Sequence, residues 1–410
     1  MIFTKNIINQ YIQSEISKNS NSDISINKDL SYYIKWLVFK IIAIGLKNGK
    51  SAIQNKSISE IQNVLIIRND AIGDYVVSTS AIRLLKESNP NINIDIITSP
   101  KNDLIARFDP LIRNTFCLDY NGLLSIPFRK IRKIAKEQSY DAIISLNFSQ
   151  TTNNAIISRI ISKSADKITA LHKKRKNIYS QVFNKLIDID SIANTWADKM
   201  QNIVKFGFSI PKDINCKPYI YLIKDDLNYV YKFCVQNNLN YQLNCDNIIN
   251  INQLDADKYS NIGRKYCIVN ISAGKASNEW GIDGCSEFLS KFIDLYPGEI
   301  FLSSSPNDYK LIDIIETRIN NPKVKVFKGA LHKFIAFLAG ADLLISPDTG
   351  VIHLAAAAGI KIIGLYPAEY HLVQWRPDTD KCVQILNNKA NNVATIDINE
   401  ILTALTSYYN

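Results

Sequence analysis

Apolar residues in this chain gather into short unbroken runs that alternate with longer stretches in which they recur every three or four positions. Residues 64–67, Val-Leu-Ile-Ile, make a run of buried-strand length; a helical pattern begins near Tyr75 and stops before Asn89-Pro90, and residues 92–98 alternate like a strand. A short helix at 103–108, a strand at 115–118, a helix at 128–138 and a strand at 142–146 continue the series. The same rhythm resumes with strands at 266–271, 299–303, 324–327, 343–346 and 361–365, separated by helices at 286–295, 309–319, 333–339 and 351–358. Strands spaced by helices in this way predict βαβ units, and therefore an α/β fold built on two doubly wound parallel sheets.

The intervals set the domain plan. Residues 1–60 read as an N-terminal helical extension, 61–207 as a first Rossmann-like domain, 208–264 as a linker or insertion and 265–410 as a second Rossmann-like domain. The 208–264 interval is Asn- and Tyr-rich with weak periodicity. A chain of 410 residues also exceeds what one hydrophobic core supports. Within the extension, Ile34 to Leu46 has helical spacing but falls short of the roughly 20 apolar residues a bilayer span needs. It reads either as a helix lying on a membrane surface or as one packed on the protein's own body.

Composition removes several function classes. Forty-eight Lys and Arg against thirty-eight Asp and Glu give a net charge of +10, an attraction for polyanions of any kind. No dense basic stripe or folded nucleic-acid motif accompanies it, so nucleic acid is not the expected partner. The densest run, His172 to Lys176, has a plain reading as a solvated loop. Seven cysteines with no C-x-x-C pair argue against a disulfide framework or a zinc site and fit a reducing cytoplasm. The first ten residues lack the features of a secretory signal. Neither G-x-G-x-x-G nor a P-loop occurs, which removes the main support for dinucleotide and P-loop readings. No H-E-x-x-H is present, and the Asp-x-Asp tripeptides at 188–190, 255–257 and 378–380 follow no buried strand, so they read as surface acids.

Ligands of open parallel sheets bind beyond the carboxyl ends of the strands, which directs attention to two loops. The first, Arg68-Asn69-Asp70-Ala71-Ile72-Gly73-Asp74, follows the first strand. Gly73 permits a tight turn or a close approach, and Asp74 falls near a helix N-terminus, where backbone N–H groups favour the carboxylate. An acid there either caps the helix or, facing a cleft, takes a proton from a hydroxyl; position alone leaves both open. The second loop, Ser346-Pro347-Asp348-Thr349-Gly350, leads into a helix carrying His353. A hydroxyl, a glycine and free N–H groups at a helix start suit a diphosphate, although Asp348 or Thr349 as a simple cap and His353 as a packed side chain are the alternatives.

Taken with Asn270-Ile-Ser-Ala-Gly274-Lys275 through Trp280, and with Gly364-Leu-Tyr-Pro367 through Trp375-Arg-Pro377, these loops resemble the ADP-heptose:lipopolysaccharide heptosyltransferases of glycosyltransferase family 9. The resemblance spans residues 61–390. It implies the GT-B architecture, two Rossmann-like domains facing a central cleft, and an inverting, metal-independent sugar transfer without a cofactor. By resemblance Asp74 is the catalytic base, and Gly274, Lys275, Asp348, Thr349, Gly350 and His353 hold the nucleotide sugar, ADP-heptose being the implied donor. Arg68, Gly73, Lys173 and Arg175 are placed on the side of a lipid-linked or polysaccharide acceptor, in a cytoplasmic protein with peripheral contact to the inner membrane. Asn278 departs from the family, which often has Lys or Arg there, and supports the rival reading of a non-catalytic module that binds a nucleotide sugar or phosphoglycan.

Overall fold

The computed structural model describes residues 56–120, 125–147, 151–171, 176–189, 195–243, 247–249, 256–369, 375–387 and 390–409. The amphipathic stretch 34–46 and the pair Lys173 and Arg175 lie outside them.

The first half runs β1 (Asn63–Ile67), α1 (Ile72–Ser88), β2 (Asn93–Thr98), α2 (Asp103–Ala106), β3 (Asn114–Cys117), α3 (Phe128–Glu137), β4 (Ala142–Ser145), α4 (Thr152–Ile161), β5 (Asp166–Ala170), α5 (Lys176–Val182), β6 (Lys185–Ile187) and α6 (Trp196–Phe208). Its sheet is parallel in the order β3-β2-β1-β4-β5-β6. β1 is apolar on both faces because both are covered. Val64 and Ile66 join the core under α1 and α6, whereas Leu65 and Ile67 join a separate cluster with Ile131 and Ile134 of α3.

Two short strands, β7 (Ile220–Tyr221) and β8 (Ile248–Ile249), flank α7 (Lys224–Gln236). The second half follows: β9 (Tyr266–Asn270), α8 (Ile282–Leu295), β10 (Glu299–Ser303), α9 (Tyr309–Ile319), β11 (Val324–Val326), α10 (Leu331–Ala339), β12 (Leu343–Pro347), α11 (Gly350–Ala358), β13 (Lys361–Tyr366), β14 (Cys382–Leu386) and α12 (Ile398–Tyr409). Its parallel order, β11-β10-β9-β12-β13-β14, repeats the topology of the first sheet. Two doubly wound α/β domains are the GT-B plan expected from the sequence.

The halves are not joined by a bare linker. Leu227 and Val230 of α7 are fully buried in an apolar core that also takes in Tyr75 and Val76 of α1, Ile335 and Phe337 of α10, and Ile352 and Leu354 of α11. Each such side chain, fully buried, contributes on the order of 1.5–3 kcal/mol, so this shared core holds α1 of one half against α11 of the other. The apolar spacing of α7 was blurred in the sequence by the tyrosines and asparagines between its buried positions.

Candidate active site at the contact of the two sheets

Each sheet reverses its winding once. The crevice at that reversal lies beyond β1 and β4 in the first half and beyond β9 and β12 in the second. The loop 68–74 and Asn147 occupy the first crevice; residues 271–278 and the turn leading into α11 occupy the second.

Arg68, fully buried, organises the first loop. Its Nε and Nη2 donate to the Asp74 carbonyl oxygen at 2.8 and 2.6 Å, and Nη1 donates to the Leu146 carbonyl oxygen. The guanidinium also lies 3.1 Å from an Asp70 oxygen and 3.6 Å from Asp74 Oδ1. With no exposed surface, Arg68 works underneath the turn; this corrects the expectation that it meets the acceptor.

Asp74 is the third residue of α1, whose cap position is Ala71, a residue without a side-chain acceptor. Its Oδ2 accepts the Ala71 N–H at 3.0 Å, so one oxygen performs the capping role considered from the sequence. The other, Oδ1, is buried and has no hydrogen-bond donor. Next to it, Tyr75 donates to Asp109 Oδ2 at 2.6 Å, as does Tyr219, which pins the start of α1 in place.

Asp70 went unremarked in the sequence. Its Oδ2 accepts from Asn147 Nδ2 at 3.3 Å, its Oδ1 is buried without a donor, and burial pushes the carboxyl up to about 7, with Arg68 opposing and Asp74 adding to the rise. Asn147 is held in turn by Asn69 and Asn154, each at 2.9 Å, a polar net that closes the crevice between β1 and β4. The available signal was two aspartates four positions apart around a strand-end glycine turn, the first of them two residues after an arginine.

On the facing half, Thr349 precedes α11 and makes no side-chain cap bond; its hydroxyl lies 3.4 Å from Ser346 Oγ. The first N–H groups of α11 therefore keep the anion-binding capacity of an open helix start. Asn278, buried, donates from Nδ2 to the Asp348 carbonyl oxygen at 2.8 Å, so the residue that departs from the family pattern braces this loop from below. Gly274 and Lys275 are exposed beyond β9, and Lys275 has no ion pair among the described residues. His353 is buried, and burial lowers its pKa; the Asp348 and Asp74 carboxylates, one from each half, oppose that shift while Arg68 adds to it.

The two turns touch. A methyl built on Gly73 would sit 2.9 Å from both the Gly350 Cα and His353 Cδ2, and one built on Gly350 would sit 2.9 Å from the Gly73 nitrogen. Asp74, His353 and the open end of α11 thus belong to one place. A narrow crevice continues from it between the halves, lined by Val76, Ala197, Lys217, His353, Arg376 and Asp378. Burial raises the Asp378 carboxyl, so this residue is a crevice acid and not the surface acid expected of it.

Residues 240–404 match the family model described as glycosyltransferase family 9 (heptosyltransferase). Over that stretch the chain is similar to the family 9 glycosyltransferases. Lipopolysaccharide heptosyltransferase 1 of Campylobacter coli is 24% identical over 316 residues, covering 74% of this chain and 84% of that protein. The crystal structure of a family 9 glycosyl transferase from Veillonella parvula superposes with a TM-score of 0.68 at 14% identity, over 86% of this chain and 99% of the other. The E. coli heptosyltransferase WaaC with ADP-2-deoxy-2-fluoro heptose gives 0.63 at 16% identity, over 85% and 100%. At such identities the superpositions speak for the fold. No helix among the described residues is long and apolar enough to cross a membrane.

Proposed function

We propose that this glycosyltransferase transfers heptose from ADP-heptose, with inversion, to a lipopolysaccharide or other surface-glycan acceptor. One observation carries the reading: the turn bearing Asp74 packs directly on the uncapped start of α11. Asp74 takes the proton of the acceptor hydroxyl as that oxygen attacks the anomeric carbon; the carbon–oxygen bond to the diphosphate breaks on the opposite side, which inverts the centre. The negative charge growing on the departing diphosphate falls to the α11 N–H groups, the Thr349 hydroxyl, Lys275 and His353, without a metal in the scheme. The relatives named for heptosyl transfer and for an ADP-heptose analogue support this donor.

The diphosphate loop is tested by Thr349→Ala and His353→Ala. Because the Thr349 hydroxyl caps nothing, its loss removes a ligand contact at little cost to the helix. Each variant is expected to weaken ADP binding by about tenfold in calorimetry, with a melting temperature within about 2 °C of the parent. Unchanged affinity defeats the assignment.

His353 adds a pH dependence with a defined sign. Burial holds its free-state pKa low, and a bound diphosphate stabilises the imidazolium, raising it. ADP affinity is therefore expected to rise as pH falls from neutral, by up to about tenfold, and to level off once the free imidazole is also protonated. The rise should be absent in His353→Ala; calorimetry across the pH range reads both.

We place the enzyme at the cytoplasmic face of the inner membrane. Flotation with anionic liposomes should recover the full chain and lose most of the chain lacking residues 1–60; equal recovery counts against that placement.

A further inference from the structure

Two carboxylates in the strand-end turn share a single cation. The guanidinium of Arg68 lies 3.1 Å from Asp70 and 3.6 Å from Asp74, and each carboxylate keeps one buried oxygen, Oδ1, with no donor. The groups facing the turn from other elements do not restore the balance. Asn147 and Asn154, beyond β4, are neutral amides, and Asn102, beyond β2, spends its amide on the Arg68 carbonyl oxygen. From α11 and the turn before it come Asp348, a further acid, and His353, whose pKa burial lowers. The carboxylates are part-buried, with side chains 26% and 12% exposed, and one charge does not neutralise both; like charges around one cation favour a state in which the pair keeps a proton.

We propose that Asp70 and Asp74 act as a carboxylate pair that keeps one proton at neutral pH, Asp70 holding it so that Asp74 stays ionised to receive the proton of the acceptor hydroxyl. The inference rests on the reading of Asp74 as base, and makes Asp70 a positioning residue that acts through it.

The two carboxyls differ in what supports a charge. Asp74 Oδ2 accepts a backbone N–H, and the residue stands in the first turn of α1, where the helix dipole favours an anion. Asp70 precedes the helix, and its hydrogen bond from Asn147 is long, at 3.3 Å. Each carboxyl has one donor-less buried oxygen, so the other oxygen and the helix decide: the backbone N–H on Asp74 Oδ2 and its place in the first turn of α1 favour the charge there and the proton on Asp70. Burial, the largest influence, pushes that carboxyl up to about 7, within reach of the working pH. The consequence is a rate that responds to Asp70. As pH rises past that point, Asp70 ionises and places a second negative charge beside Asp74, which then draws the acceptor proton more strongly.

The test is the pH profile of kcat for heptosyl transfer from ADP-heptose to heptose-deficient lipopolysaccharide, in the parent, Asp70→Asn and Asp70→Ser. The parent rate is expected to rise about threefold to tenfold across the neutral range. In Asp70→Asn, which retains the side-chain shape but has no proton to lose, the rise should vanish and the rate should stay near the low-pH plateau of the parent. Asp70→Ser, smaller and also neutral, should be equally flat, which separates loss of the titration from loss of packing. Infrared difference spectra between about pH 5 and pH 9 should show a protonated-carboxyl band in the parent that Asp70→Asn lacks. An inflection that persists in both variants, at full or reduced rate, overturns the proposal, as does a parent profile with no inflection. Asp74→Asn, run alongside, separates the two readings. If it still turns over, the base assignment fails together with the pair; if it is inactive while the Asp70 variants keep the inflection, only the pair fails.

Discussion

Asp74→Asn is expected to lower sugar transfer by about a thousandfold while changing ADP affinity by less than about threefold. The amide oxygen can still accept the Ala71 N–H that Asp74 Oδ2 accepts at 3.0 Å, so the start of α1 should survive the change. The Arg68 bonds to residue 74 run to its backbone carbonyl oxygen and are indifferent to the side chain. What disappears is the carboxylate as a proton acceptor, together with its negative charge. A loss confined to kcat, with melting and calorimetry close to the parent, is the signature of a proton acceptor. Turnover within about tenfold of the parent removes Asp74 from its role and leaves it as a helix cap.

The strand-end position of Asp74 was legible because buried parallel strands such as β1 are apolar on both faces and announce where they stop. The same signal found β12 and the turn before α11. What stayed hidden depends on contacts between residues far apart in sequence. Arg68 was placed on the acceptor side, yet its charge is enclosed by the Asp74 and Leu146 carbonyl oxygens and by Asp70, and no local pattern reveals a partner 78 residues away. Asn278 read as a missing cation; in the fold it is a brace on the Asp348 carbonyl oxygen, a role open to a neutral amide. The helix α7 was missed because its buried face carries few apolar residues, Leu227, Val230 and Cys234 beside the buried Asp226, among residues that favour turns. β5, β6 and β14 escaped for a related reason: polar residues interrupt their apolar runs, and β6 and β14 are edge strands besides.

The second large effect comes from a contact without chemistry of its own. Gly73→Ala is expected to reduce transfer by about a hundredfold and to lower the melting temperature by a few degrees. The added methyl would stand 2.9 Å from the Gly350 Cα, which is backbone, and 2.9 Å from His353 Cδ2, a ring enclosed by the shared core. Neither can swing aside, so α1 and α11 must separate by roughly half an ångström or more at the point where Asp74 faces the diphosphate loop. Gly350→Ala meets the Gly73 nitrogen at the same distance and should behave alike. Gly274→Ala, where a methyl meets nothing within 4 Å, should melt with the parent and serves as the folding control. Steady-state kinetics and melting curves on the three variants decide the matter. Full activity in Gly73→Ala with an unchanged melting curve would mean that the two turns stand apart in the working enzyme, and that the acid and the anion site reach the substrate from separate positions.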